Sequence, residues 1–107
     1  MFTGSELEES KFRIAKVSDP CTIFNGSTKY NCTRDARLAN LFIEEDYKVS
    51  NRSRYYLGEW HTHPEDNPQP SNIDVASIKN IYSTSKLPIN GVFLIIVGLR
   101  SNYYGFY

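Results

Sequence analysis

Hydrophobic and polar positions along this chain change their period several times, and each change predicts an element. Lys11–Val17 alternates, with Phe12 and Ile14 on one face and Arg13, Ala15 and Val17 on the other, which predicts a strand ending at Ser18-Asp19-Pro20. Phe2 belongs to an earlier strand, and the polar residues 5–10 predict a hairpin turn between the two. Residues 21–32 show no period; Asn25-Gly26 is a turn signal, and a short strand is expected around residues 29–32. From residue 35 to about residue 50, Leu38, Leu41, Phe42, Tyr47 and Val49 follow helical spacing, with Thr33 or Asp35 as the cap and Asn51 as the end. The acidic run Glu44-Glu45-Asp46 reads as the solvated face of that helix. Tyr55-Tyr56-Leu57-Gly58-Glu59-Trp60 is rich in strand-favouring aromatics. A second helix opens at Ser71-Asn72-Ile73-Asp74, turns Ile73, Ala76 and Ile81 towards the core with Ile78 as a fourth candidate, and ends near Lys86-Leu87-Pro88. After the turn at Asn90-Gly91, residues 92–97 are apolar throughout, as expected of a strand buried on both faces. A turn over residues 98–102 and a last strand over residues 103–107 complete an α/β chain: a sheet flanked by helices.

Length and composition narrow the function classes. A chain of 107 residues, 40% hydrophobic and 14% aromatic, suffices for one domain with one core, so residues 1–107 are read as a single domain. Twelve basic residues balance twelve acidic ones, and no block of like charge stands out; binding to nucleic-acid phosphates has no footprint. The longest apolar run, residues 92–97, is too short to span a bilayer, and no basic stretch leads into an apolar leader. A cytoplasmic protein is expected. In that compartment Cys21 and Cys32 are expected to be free thiols, and the sequons at Asn25, Asn31 and Asn51 carry no sugar.

The chemistry gathers at His61-Thr62-His63-Pro64. Histidines at i and i+2 of an extended segment point to one face, so both imidazoles can reach one ion while Thr62 points away. Pro64 ends the strand, and a polar loop leads to Ser71, which caps the next helix. Asp74 then sits in the first helical turn, where its carboxylate can meet the two imidazoles. Two nitrogens and one oxygen form a three-ligand set of the catalytic kind, which leaves a position for water, whereas structural zinc sites usually close with four protein ligands. Such a centre polarises a carbonyl and acidifies water, and so predicts metal-assisted hydrolysis. Each piece has a plain structural reading as well, since Ser-x-x-Asp is also a common helix start. What favours a site is that the only two histidines of the chain share one strand end just ahead of a capped helix carrying an acid. By period two, Glu59 shares the face of His61; plain surface placement is the preferred reading, and orienting the imidazole is the alternative. Trp60 alternates away and is expected to pack.

These residues resemble a known family. Glu59-Trp60-His61-Thr62-His63-Pro64, then Ser71-x-x-Asp74 with ten residues between His63 and Asp74, is similar to the signature of the JAB/MPN/Mov34 metalloproteases, the JAMM zinc isopeptidases, in its bacterial version. The resemblance implies an MPN domain with a mixed sheet, lacking here the family's N-terminal helix and part of its first strands. It implies zinc on His61, His63 and Asp74, and Ser71 as the residue that helps hold the oxyanion. The implied substrate is the C-terminal tail of a ubiquitin-like protein, laid along a sheet edge by strand addition. Ubiquitin-like conjugation enzymes, including those of antiphage signalling operons, are implied partners, as are small sulfur-carrier proteins.

The family also uses a glutamate as general base. Met1-Phe2-Thr3-Gly4 looks like the end of the Gly-rich strand that follows this residue in the family, so the glutamate is expected upstream of Met1. Glu6, Glu8 and Glu9 are the alternatives within the chain, although residues 5–10 read as a solvated acidic turn. Loss of such a base costs typically about a hundred- to ten-thousand-fold in rate without abolishing metal binding. The competing expectations are a non-catalytic MPN-type module that binds a ubiquitin-like partner, and a metal-dependent hydrolase of small molecules.

Overall fold

Strands and helices alternate as the periodicity predicts. The computed structural model describes residues 1–9, 11–18 and 36–107; Cys21, Cys32, Asn25, Asn31, the strand expected near residues 29–32 and the caps Thr33 and Asp35 lie outside the described residues. The elements are β1 (Phe2–Glu8), β2 (Lys11–Val17), α1 (Ala36–Val49), β3 (Tyr55–Thr62), α2 (Asn72–Thr84), β4 (Phe93–Val97) and β5 (Asn102–Phe106). The five strands form one mixed sheet in the order β2-β1-β3-β4-β5. Among the described residues, no helix is long and apolar enough to cross a membrane. Two compact units, Met1–Leu57 and Gly58–Tyr107, are described in turn.

In the first unit β1 and β2 pair antiparallel, and β1 runs through residues expected to form the turn. Ser5 faces Arg13, Glu6 faces Phe12 and Glu8 faces Lys11. Two further bonds hold this polar stretch extended: the Ser5 hydroxyl donates to the Ser53 carbonyl, and the Glu6 N–H donates to the Tyr55 hydroxyl at 2.8 Å. Backbone pairing has overridden turn-like composition, because a strand satisfies the N–H and C=O groups that a polar segment offers. The register shifts between Thr3 and Gly4, and a Cβ on Gly4 would lie 1.8 Å from the Arg13 carbonyl oxygen. Only glycine fits that approach. β2 is more exposed than its alternation predicts, with Ile14 and Val17 exposed. Among the described residues it is an outer strand of the sheet order, with one edge unpaired by another strand.

Helix α1 corrects the expected apolar face. Ala39 and Asp46 are buried and Phe42 and Ile43 half-buried, a stripe at i, i+3, i+4 and i+7, whereas Leu38, Leu41, Tyr47 and Val49 are exposed. Asp46, expected on the solvated face, is 0% exposed. The reason is its partners: the Thr3 hydroxyl donates to Oδ2 at 2.6 Å, and Arg54 Nη2 donates to Oδ1 at 2.7 Å. A paired carboxylate can enter the core of Phe2, Tyr56 and Leu57, and it rotates the helix accordingly. The predicted end at Asn51 is present. The Arg52 N–H donates to the Tyr47 carbonyl at 2.7 Å and the Asn51 N–H to the Lys48 carbonyl at 3.1 Å, the Schellman pattern, with Asn51 at φ 57°.

In the second unit the remainder of β3 pairs parallel with β4, from Gly58 opposite Phe93 to Thr62 opposite Val97, and α2 is the crossover between them. β5 returns antiparallel to β4. Burial of β4 is one-sided rather than two-sided: Leu94 and Ile96 are buried, while Phe93, Ile95 and Val97 are half-buried. On that second face the Phe93 ring packs against Phe106, at 4.6 Å between ring centroids. On α2 the expected inward residues Ile73 and Ala76 are exposed, and Ile78 is the buried one. Asp74, Ile78 and Ile81 lie on one helical stripe, so the rotation that buries Ile78 also carries the Asp74 carboxylate inward.

Candidate metal centre

The site forms where a strand ends and a helix begins. His61 is in the next-to-last pair of the β3–β4 ladder, opposite Ile96, and the His63 N–H extends that ladder by donating to the Val97 carbonyl at 3.0 Å. Asp74 arrives from the first turn of α2. Its position is held by a reciprocal cap: the Ser71 hydroxyl accepts from the Asp74 N–H at 3.0 Å, and the Ser71 N–H donates to Asp74 Oδ2 at 2.8 Å. The loop between His63 and Ser71 is anchored as well. Leu99 donates its N–H to the Glu65 carbonyl at 2.7 Å, and Arg100 and Ser101 donate theirs to the Asp66 carbonyl at 3.1 and 2.9 Å. Pro68 packs against Gly98, where a Cβ would lie 2.3 Å from the proline ring and 2.4 Å from the Ser101 carbonyl oxygen. Gly98→Val is therefore expected to displace the loop and lower stability by about 1–3 kcal/mol in urea unfolding.

His61, His63 and Asp74 converge. The two Nε2 atoms are 3.0 Å apart, Asp74 Oδ1 is 3.7 Å from His61 Nε2, and Asp74 Oδ2 is 3.9 Å from His63 Nε2. One ligand atom from each lies within 4.8 Å of the others, and the three side chains are 19–24% exposed, open enough to admit an ion. Zinc takes imidazole nitrogen and carboxylate oxygen at about 2.0–2.2 Å in tetrahedral geometry, which places ligand atoms about 3.3–3.6 Å apart. The observed spacings bracket that range, so the cluster is compatible with a metal site. Ser71 sits exposed at the rim. Because its oxygen accepts from Asp74, the hydroxyl proton is free to be donated.

At His61, burial favours the neutral imidazole, the ligating form. Burial pushes the His61 pKa below its ordinary 6.5; the Asp74 charge opposes this, His63 adds to it, and Glu59 opposes it least. As pH falls below 6.5 the unfolded chain takes up this proton before the folded one does. Stability of the metal-free protein is thus expected to fall between pH 6.5 and the lower folded value and to be insensitive to this group above 6.5, as read by thermal melts across pH.

Sequence reasoning missed two neighbours of the site. Glu65 Oε1 lies 3.6 Å from His63 Nδ1. Tyr107 is within electrostatic reach of Asp74; its hydrogen bond with Tyr103, with burial second, pushes its pKa up to about 12. Period two along the last strand would have put Tyr103 and Tyr107 on one face. Glu6, Glu8 and Glu9 are all exposed in the β1–β2 hairpin of the first unit, with Glu8 in a 3.5 Å ion pair with Lys11.

A family model described as prokaryotic homologs of the JAB domain matches residues 1–104. A CD-NTase/cGAS isopeptidase of Vibrio cholerae is 34% identical over 95 residues, which are 86% of this chain and 56% of the relative. Another protein of that name, from Escherichia coli, is 39% identical over 64 residues, 59% of this chain and 38% of the relative. A third, from Pseudomonas aeruginosa, is 46% identical over 48 residues, 45% of this chain and 30% of the relative. The chain thus spans about half the length, or less, of the curated relatives it matches.

Proposed function

Because the chain belongs to the prokaryotic homologs of the JAB domain, we propose that residues 1–107 form a single domain of a zinc-dependent isopeptidase. It acts in the bacterial cytoplasm at the C-terminal tail of a ubiquitin-like protein. The observation that carries this reading is the convergence of His61, His63 and Asp74 beside a serine whose hydroxyl proton is free. The names of the relatives extend it to a target: an isopeptide conjugate of a CD-NTase. In this reading His61, His63 and Asp74 hold the zinc. Bound zinc supplies a Lewis acid for the scissile carbonyl and a water acidified towards neutral pH. Ser71 donates its hydroxyl proton to the oxygen on which charge develops.

The reaction also requires a carboxylate that takes the proton of the attacking water and returns it to the leaving lysine amine. We assign that role to none of Glu6, Glu8 and Glu9, since each is exposed in the hairpin.

Ser71 has a second duty as helix cap. Ser71→Ala is expected to cost about 1 kcal/mol of stability through the lost cap, and about 10²- to 10³-fold in kcat through the lost oxyanion donor. Ser71→Gly, which is tolerated at a helix start and carries no side-chain donor, keeps most of the stability of the cap. It is expected to recover stability but not rate; recovery of both would remove Ser71 from the chemistry.

To test the function itself, the zinc-loaded protein is incubated with a ubiquitin-like protein linked to a lysine of a CD-NTase, and release of the free CD-NTase is followed. Release that a chelator stops is expected. Bound zinc without any release, both from this chain and from one extended upstream to supply the general base, would select the non-catalytic binding module instead.

A further inference from the structure

Glu65 approaches the metal cluster from the far side of one ligand. His63 turns Nε2 towards His61, 3.0 Å away, and towards Asp74. Its other nitrogen, Nδ1, faces Glu65 Oε1 at 3.6 Å. The backbone of Glu65 is not free to drift from this place. Its carbonyl accepts from the Leu99 N–H at 2.7 Å, the next carbonyl accepts from Arg100 and Ser101, and the Ser101 hydroxyl donates to Asn67 Oδ1 at 2.8 Å. Pro68 against Gly98 closes the same clamp. The β4–β5 turn therefore presents Glu65 to His63, at i+2 along the chain.

We infer that Glu65 is a positioning residue that keeps His63 protonated at Nδ1 and so leaves Nε2 free for the metal. The inference rests on the metal reading of the cluster and adds a residue to it. A carboxylate opposite Nδ1 stabilises the tautomer that carries hydrogen there, and an imidazole so oriented is a better ligand through its other nitrogen. The facing Nε2 atoms then divide their roles in the metal-free protein. His63 offers a lone pair, and the hydrogen between the two rings belongs to His61. For His61 Nε2 to hold a metal, that hydrogen would have to move to His61 Nδ1, whereas His63 would keep its tautomer.

The test compares the native chain with Glu65→Ala and Glu65→Gln. Nitrogen NMR of the metal-free protein at pH 8 reads the tautomer of each histidine, competition with a chromophoric chelator reads zinc affinity, and thermal melts report folding. The native chain is expected to show His63 protonated at Nδ1. Glu65→Ala is expected to mix the tautomers and weaken zinc about ten- to a hundred-fold, with an unchanged melt because the side chain is 59% exposed. Glu65→Gln, which keeps an acceptor and loses the charge, should fall between. Native His63 protonated at Nε2, or an unchanged tautomer in Glu65→Ala, overturns the inference. If the native chain binds no zinc, the metal reading fails, while the tautomer still judges Glu65 by itself.

Discussion

Replacing His61, His63 or Asp74 singly by alanine is expected to weaken zinc by about 10²- to 10³-fold. The figure follows from zinc binding worth roughly 10–16 kcal/mol over four ligands in small protein sites, or about 2.5–4 kcal/mol for each. Elemental analysis after dialysis against a weak chelator reads the result directly: about one zinc per native chain and essentially none in each variant. Zinc-dependent cleavage should vanish with it. The three variants should not behave alike in stability. Asp74→Ala also removes the acceptor of the Ser71 N–H, so it loosens the start of α2, whereas neither histidine caps an element. Equal zinc content in native protein and variants would show that the cluster holds no metal, whatever its spacing.

The second large effect is expected away from the site. Asp46→Ala removes the acceptor of both the Thr3 hydroxyl and the Arg54 guanidinium. The Arg54 Nε is already buried without a hydrogen-bond partner among the described residues, so the guanidinium depends on this carboxylate. Removing one partner of a fully buried pair costs about 3–5 kcal/mol; Arg54 retains 30% exposure, so solvent screening lowers the expectation to about 2–4 kcal/mol. Urea unfolding measures it. The double variant Asp46→Leu with Arg54→Met should recover much of the loss, because it leaves no charge without a partner. A single-variant loss under about 0.5 kcal/mol would mean that the network does not hold α1 in place.

How legible each part was depends on the range of the interactions that decide it. Elements announced by local pattern appear where expected: the alternation of Lys11–Val17, the aromatics leading into His61, the helix opening at Ser71, and the Asn51 terminus with its left-handed backbone. These are settled by neighbours a few residues apart. Misread features depend on distant partners. Residues 5–8 look like a turn until β2, Ser53 and Tyr55 pair with them. Asp46 looks solvated until Thr3, 43 residues away, and Arg54 converge on it. Ile73 and Ala76 look like core until Ile78 and Asp74 claim the inward stripe of α2.

By itself, then, the sequence determined the α/β alternation, the candidate ligands His61, His63 and Asp74, and the capped helix that carries one of them. Each of these is written in spacing: period two aligns the imidazoles, and a three-residue cap places the carboxylate in the first turn. Only the tertiary structure decided which face each helix buries, that the three ligand atoms meet within 4.8 Å, and that Glu65 stands behind His63. Those outcomes depend on closing the loop between His63 and Ser71 against the β4–β5 turn and on pairing a buried charge across the chain, and neither contact leaves a period in the sequence to be read.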